Sequence, residues 1–195
     1  MRRAQIERQT AETSISLNFV LDEGSQQPQI ETGIGFLDHM LTLMIYHGQM
    51  DLQLTCQGDL HVDAHHTVED LGIVLGQAFR EALGDKKGIQ RYATTYTPMD
   101  ETLSMLSIDI SGRPYLHYDV SIPVEKVGTF DTQLVEEFFR AFVNHAQVTL
   151  HINLLYGKNG HHIIESIFKG FGRALFQATR IIPGRKSLPS SKGLI

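Results

Sequence analysis

Cysteine is nearly absent: Cys56 stands alone among 195 residues. A disulfide framework within one chain is therefore excluded, and a thiolate metal site is disfavoured. No apolar run approaches the roughly 18–20 residues that a bilayer-spanning helix needs. Met1-Arg2-Arg3 leads into polar residues and not into an apolar segment, so no secretory leader is expected. A basic excess is missing as well. The net charge is −5, so there is no surplus of cations to neutralise the phosphates of a nucleic acid. These absences predict a soluble cytoplasmic protein with no membrane or nucleic-acid partner. The length suits one large domain, or two small units that share a core.

Histidine, by contrast, is plentiful. There are 10, and four of them form two adjacent pairs, His65-His66 and His161-His162. Histidine is the commonest metal ligand near neutral pH. The pairs open two stretches that align without gaps, HHTVEDLGIVLGQAF (65–79) and HHIIESIFKGFGRAL (161–175). Upstream, 36–54 aligns on 134–152, retaining His47/His145, Gln49/Gln147 and Leu52/Leu150. Further upstream, ETSISLNFVLD (12–22) resembles ETLSMLSIDIS (101–111). The order is preserved, as in a duplicated chain.

Periodicity gives the elements. Strands are predicted over 14–21 and 103–110, and amphipathic helices over 36–47 and 131–145, the second with Asp131 as N-cap. Buried strands are predicted over 49–55 and 147–155, and long helices over 64–83 and 160–180. Gly58 and Gly157 mark turns before those helices, and 84–88 reads as the turn joining the halves. The predicted fold class is α+β, an internally duplicated unit of two sheets with packed helices. Residues 1–90 form the first half and 91–195 the second. The stretch PGRKSLPSSKGLI closes the chain as a loop-like tail.

Within a helix, residues i and i+4 share a face, which puts His65 beside Glu69 and His161 beside Glu165. The second histidine of each pair is turned by about 100° from the first. If the halves face one another, the second histidines can be exchanged. His65 and Glu69 would then share one ion with His162, and His161 and Glu165 a second with His66. The upstream helices offer His39 and its aligned partner Glu137 as further ligands. Nitrogen and oxygen ligands without sulfur suit Mn(II), with Fe(II) and Zn(II) also compatible.

The segments GIGFLDHML, DAHHTVEDLG, DISGRPYL, KNGHHIIESIFKGFGRAL and PSSKG resemble signature stretches of the imidazoleglycerol-phosphate dehydratase family, nearly end to end. That family is similar in fold to a duplicated second domain of ribosomal protein S5. Its members form metal-dependent 24-subunit shells with active sites between subunits. The resemblance implies two Mn(II) ions per subunit. One is held by His39, His66, His161 and Glu165, the other by His65, Glu69, His162 and Glu137. Several relatives carry histidine at position 137, and His145 is the alternative ligand if Glu137 does not serve. The resemblance also implies that Glu12 acts as acid/base and that Glu69 and Glu165 belong to the catalytic centre. Arg91, Arg113, Lys169, Ser191 and Lys192 would bind the substrate phosphate, with His47 a neighbour of the substrate.

The implied reaction is the loss of water from D-erythro-imidazoleglycerol phosphate, giving imidazole acetol phosphate in histidine biosynthesis. No carbonyl acidifies the C–H bond that must break. A substrate held as imidazolate by two manganese ions would supply the missing push, and a carboxylate would move the proton. Two other readings remain at this point: a shell assembled by metals without catalysis, and a metal-dependent hydrolase acting on a small phosphorylated molecule.

Overall fold

The structure is a computed structural model that describes residues 1–22, 24 and 27–193. In chain order the first half contains β1 (Arg3–Gln9), β2 (Thr13–Val20), β3 (Gln29–Glu31), α1 (Gly35–Gly48), β4 (Asp51–Gly58) and α2 (His65–Leu83). The second half contains β5 (Tyr92–Met99), β6 (Thr102–Asp109), β7 (Tyr115–Asp119), the short β8 (Lys126–Val127) and β9 (Phe130–Asp131), α3 (Leu134–Ala146), β10 (Thr149–Tyr156) and α4 (Gly160–Thr179).

Both halves fold to one topology. The first sheet has the order β1-β2-β4-β3, the second β5-β6-β10-β7. In each, three strands pair antiparallel and the last strand runs parallel to its neighbour. The strands alternate as a sheet with one covered face must. Ile15, Leu17 and Phe19 of β2 point inward, as do Leu106 and Ile108 of β6. The duplicated α+β architecture expected from the repeat is the one found.

The helices fill the space between the sheets. α2 packs on β1, β2 and β4, and α4 on β5 and β6, while the close helix pairs, α2 with α3 and α1 with α4, join the two halves. Glycine permits those crossings. A methyl group placed on Gly172 of α4 would lie 2.1 Å from the Met44 carbonyl oxygen of α1. One placed on its repeat equivalent, Gly76 of α2, would lie 2.6 Å from the Phe142 carbonyl oxygen of α3. Phenylalanines of α3 and α4 meet in the core, Phe142 and Phe171 edge to face at 5.0 Å and Phe139 and Phe168 tilted at 5.1 Å. Each such fully buried ring stabilises the fold by roughly 1.5–3 kcal/mol.

One expectation needs correction. Asp131 does not cap α3: it lies in β9, its carboxylate accepts from the Gln133 amide, and α3 begins at Leu134 with no side-chain cap. Strands β1, β3, β5, β7, β8 and β9 lie beyond those that periodicity predicts. Just ahead of the tail Ile181 makes a single bridge to Ile89; the tail has no helix or strand among its described residues, and its last two residues, Leu194 and Ile195, lie outside the described residues. Among the described residues no helix is long and apolar enough to cross a membrane.

Candidate metal centre and phosphate cleft

Each histidine pair sits in the first turn of a helix, where backbone amides lack intrahelical partners. Asn159 caps α4, its side-chain oxygen accepting from the amides of His161 at 2.9 Å and His162 at 3.4 Å. Asp63 accepts from the His65 amide at 2.7 Å ahead of α2. With the turns fixed, the first histidine of each pair faces the glutamate four residues on.

In α4 that arrangement closes. His161 Nε2 is 3.0 Å from Glu165 Oε2, and His39 Nε2 comes across from α1 to 3.6 Å from the same oxygen. Donor atoms of His39, His161 and Glu165 all lie within 4.8 Å of one another. Phe36 presses edge-on against the His161 ring at 5.3 Å. The Glu165 side chain is only 9% exposed, and its other oxygen is paired with Lys169. Burial pushes its carboxyl up, but the Lys169 ammonium and the His161 ring outweigh that and hold it below the ordinary carboxylate value. Two imidazoles and an anionic oxygen fit a divalent cation of the Mn(II), Fe(II) or Zn(II) kind. Cys56 offers no softer alternative, since it is buried at β4 and burial pushes its thiol up to about 11.

The equivalent set in α2 is looser. His65 Nε2 stands 3.9 Å from Glu69 Oε2, with both side chains roughly half exposed. Glu137 is half-buried on α3, and among the described residues it completes no group as tight as the first. His145 lies two turns further along α3. Its Nδ1 bonds to the Ala141 carbonyl at 2.8 Å, and it lines a separate cleft with Gln77, Arg80 and Glu81.

The second histidines join neither group within one chain. His66 Nδ1 is 2.9 Å from Asp59, and its Nε2 is 3.7 Å from Glu12. His162 Nδ1 is 2.7 Å from Glu101, and its Nε2 is 3.8 Å from Asp100. Hydrogen bonds to Asp59 and Glu101 raise the pKa of His66 and His162 above the ordinary histidine value. Glu101 also accepts from the amides of Lys158 at 3.1 Å and Asn159 at 2.8 Å. The His162 ring and these amides pull its carboxyl down to about 2. Neither Asp59 nor Glu101 was picked out from sequence. Glu101 carried a signal, because the repeat aligns it with Glu12; Asp59 carried none.

Four of the five expected phosphate residues share one cleft of about 560 Å³: Arg91, Arg113, Ser191 and Lys192, with Ser111 and Gly112. Arg91 is already engaged. Its Nε and Nη2 bond Asp109 at 2.8 and 3.3 Å, and its Nη1 bonds the Pro189 carbonyl of the tail at 2.9 Å. Among the described residues the exposed Arg113 guanidinium makes one long bond, 3.3 Å to the Ser111 carbonyl. Lys169 is elsewhere, at Glu165. His47 closes α1 near it, its pKa lowered first by burial and then by the charges of Lys169 and Arg173.

A model of imidazoleglycerol-phosphate dehydratase matches residues 32–175. The chain belongs to the imidazoleglycerol-phosphate dehydratase family. It is 63% identical over 193 residues to the imidazoleglycerol-phosphate dehydratase of Oceanobacillus iheyensis, covering 99% of each chain. The crystal structure of the Staphylococcus aureus dehydratase superposes with a TM-score of 0.84 at 48% identity, covering 92% of this chain and 99% of that one. The dehydratase from Pyrococcus furiosus in complex with (S)-C348 also gives 0.84, at 37% identity, covering 97% of this chain and 100% of that one. As a member of this dehydratase family, the chain is a lyase (EC 4.2.1.19) of histidine biosynthesis that acts on a small molecule.

Proposed function

We propose that the chain dehydrates its substrate with two Mn(II) ions per subunit, in cytoplasmic homo-oligomers whose active sites lie between copies. The observation that carries this reading is the convergence of His39, His161 and Glu165. Those three, with His66, would hold one ion; His65, Glu69, Glu137 and His162 would hold the other. His66 and His162 lie away from the ligand groups of their own chain, which favours their delivery to another copy and hence the expected shell. The repeat halves, 1–90 and 91–195, would fold as one unit around the shared core.

Bound cations would supply positive charge that favours the imidazolate form of the substrate ring. The chain's own groups do the rest. Arg113, Ser191 and Lys192 would clamp the phosphate, with the guanidinium as the fork-shaped donor. Arg91, tied to Asp109 and Pro189, would keep the tail over that cleft. Lys169 places a positive charge between Glu165 and His47. Glu12, half exposed, fixed at its backbone by Thr10 and 3.7 Å from His66 Nε2, would take the C–H proton and pass it on. Glu101, its repeat equivalent, is committed to His162 and two backbone amides, so it leaves that task to Glu12.

The test is product analysis with metal removal and return. Stripped protein should be inactive, and Mn(II) should restore ketone formation without release of phosphate. Phosphate release, or full activity after stripping, would overturn the reading.

A further inference from the structure

We propose that Asp59 and Glu101 are positioning residues that lock His66 and His162 in the orientation and tautomer that presents Nε2 to a cation. The proposal rests on the reading of both histidines as ligands.

The geometry is the same in both halves. Each histidine points Nδ1 at a carboxylate oxygen, at 2.9 Å from Asp59 and 2.7 Å from Glu101. A carboxylate oxygen only accepts, so the facing nitrogen must carry the proton. In the neutral ring the lone pair is then on Nε2, the nitrogen left free to ligate. A carboxylate in this position also makes the opposite nitrogen a stronger donor.

The two halves reach this bond from different places. Asp59 follows β4, and the matching stretch of the second half, Leu155-Tyr156-Gly157, offers no carboxylate. Glu101 comes from the turn between β5 and β6, and its equivalent, Glu12, faces the other nitrogen of His66. Duplication alone therefore does not account for the pairing, since copying would have placed Glu12 at Nδ1. Each carboxylate is also set up for the task. Glu101 is fixed by the Lys158 and Asn159 amides at the start of α4, so it moves with the turn that carries His162. Asp59 Oδ1 is buried with no hydrogen-bond partner among the described residues, while its Oδ2 is given to the His66 ring.

The experiment compares Asp59→Asn and Glu101→Gln with His66→Ala and His162→Ala in the full-length, metal-loaded protein. Mn(II) affinity is read by chelator competition, and the thermal midpoint of the metal-free form is read alongside. Each amide variant should weaken Mn(II) binding by roughly 10–100-fold, while the metal-free midpoint stays at the wild-type value. Gln can still accept the Lys158 and Asn159 amides, so local structure should survive in Glu101→Gln. Wild-type affinity in both amide variants, with metal lost from the histidine variants, would overturn the positioning role alone. Metal retained in the histidine variants would overturn the ligand reading. Loss of affinity matched by a lowered metal-free midpoint would make the carboxylates structural props and would also overturn the proposal.

Discussion

Glu69 and Glu165 occupy the same place in the repeat but have different surroundings. Glu165 is 9% exposed, paired with Lys169 and flanked by His161 and His39. Glu69 is 49% exposed and, among the described residues, has His65 as its one ionic neighbour, with Ile73 where Lys169 would stand. One half of the duplication thus has its candidate ligands assembled, and the other leaves them open at the surface. Copying the sequence preserved the residue types, while local neighbours decided how far each set is organised. The same division separates the equivalent carboxylates, with Glu101 bound into the α4 turn and Glu12 half exposed, facing only the far nitrogen of His66 at 3.7 Å among the described residues.

The comparison of Glu12 with Glu101 should give the largest effect. Glu12→Gln should retain metal and substrate affinity while turnover falls by roughly 10²–10⁴-fold. Glu101→Gln should lose metal as well as rate. Near-normal turnover in Glu12→Gln would pass the proton to Asp100 or to another group.

The arginines of the candidate phosphate cleft should separate next. Arg113→Ala should weaken substrate binding by on the order of 2–5 kcal/mol if the charge pair is desolvated, with little effect on free imidazole. Arg91→Ala should chiefly free the tail, seen as faster proteolysis within residues 183–193. Equal losses for substrate and imidazole in Arg113→Ala would show that Arg113 supports the fold instead.

At the helix crossings, Gly172→Ala and Gly76→Ala should each destabilise by about 1–3 kcal/mol or more. Gly172 should cost more, because its added methyl meets backbone at 2.1 Å against 2.6 Å. Thermal melts of the two variants would rank them.

The smallest effect concerns pH. Arg2 and its repeat equivalent Arg91 both tie a strand start to a carboxylate, Arg2 to Asp22 and Arg91 to Asp109. The Arg2 hydrogen bond holds the Asp22 carboxyl below its ordinary value. A depressed pKa contributes stability that is complete above the unfolded value and is lost as pH falls through the folded one. Arg2→Ala should therefore flatten part of the acid-side loss of stability and leave the profile above neutrality unchanged, as denaturant melts against pH would show.

The four helices and the central strands were legible because their apolar spacing is strong: Leu37, Met40, Leu41, Met44 and Ile45 in α1, Ile15, Leu17 and Phe19 in β2. The missed strands carry weaker patterns. β5 turns Ala93, Thr95 and Thr97 inward, so polarity does not alternate with burial, and β1, β3 and β7 are edge strands with few buried side chains. Helical spacing revealed His161 with Glu165 and His65 with Glu69. It did not reveal Asp59, which meets His66 through the path of a loop, nor that Arg91 is spoken for by Asp109 and Pro189.

The most direct measurement is the number of divalent ions per chain in active protein, by elemental analysis of wild type, Glu165→Gln and Glu69→Gln. Two ligand sets of unequal organisation predict about two ions in wild type, and each variant should lose one. A single ion or none in active wild-type protein, or both ions retained in the two variants, would contradict the account.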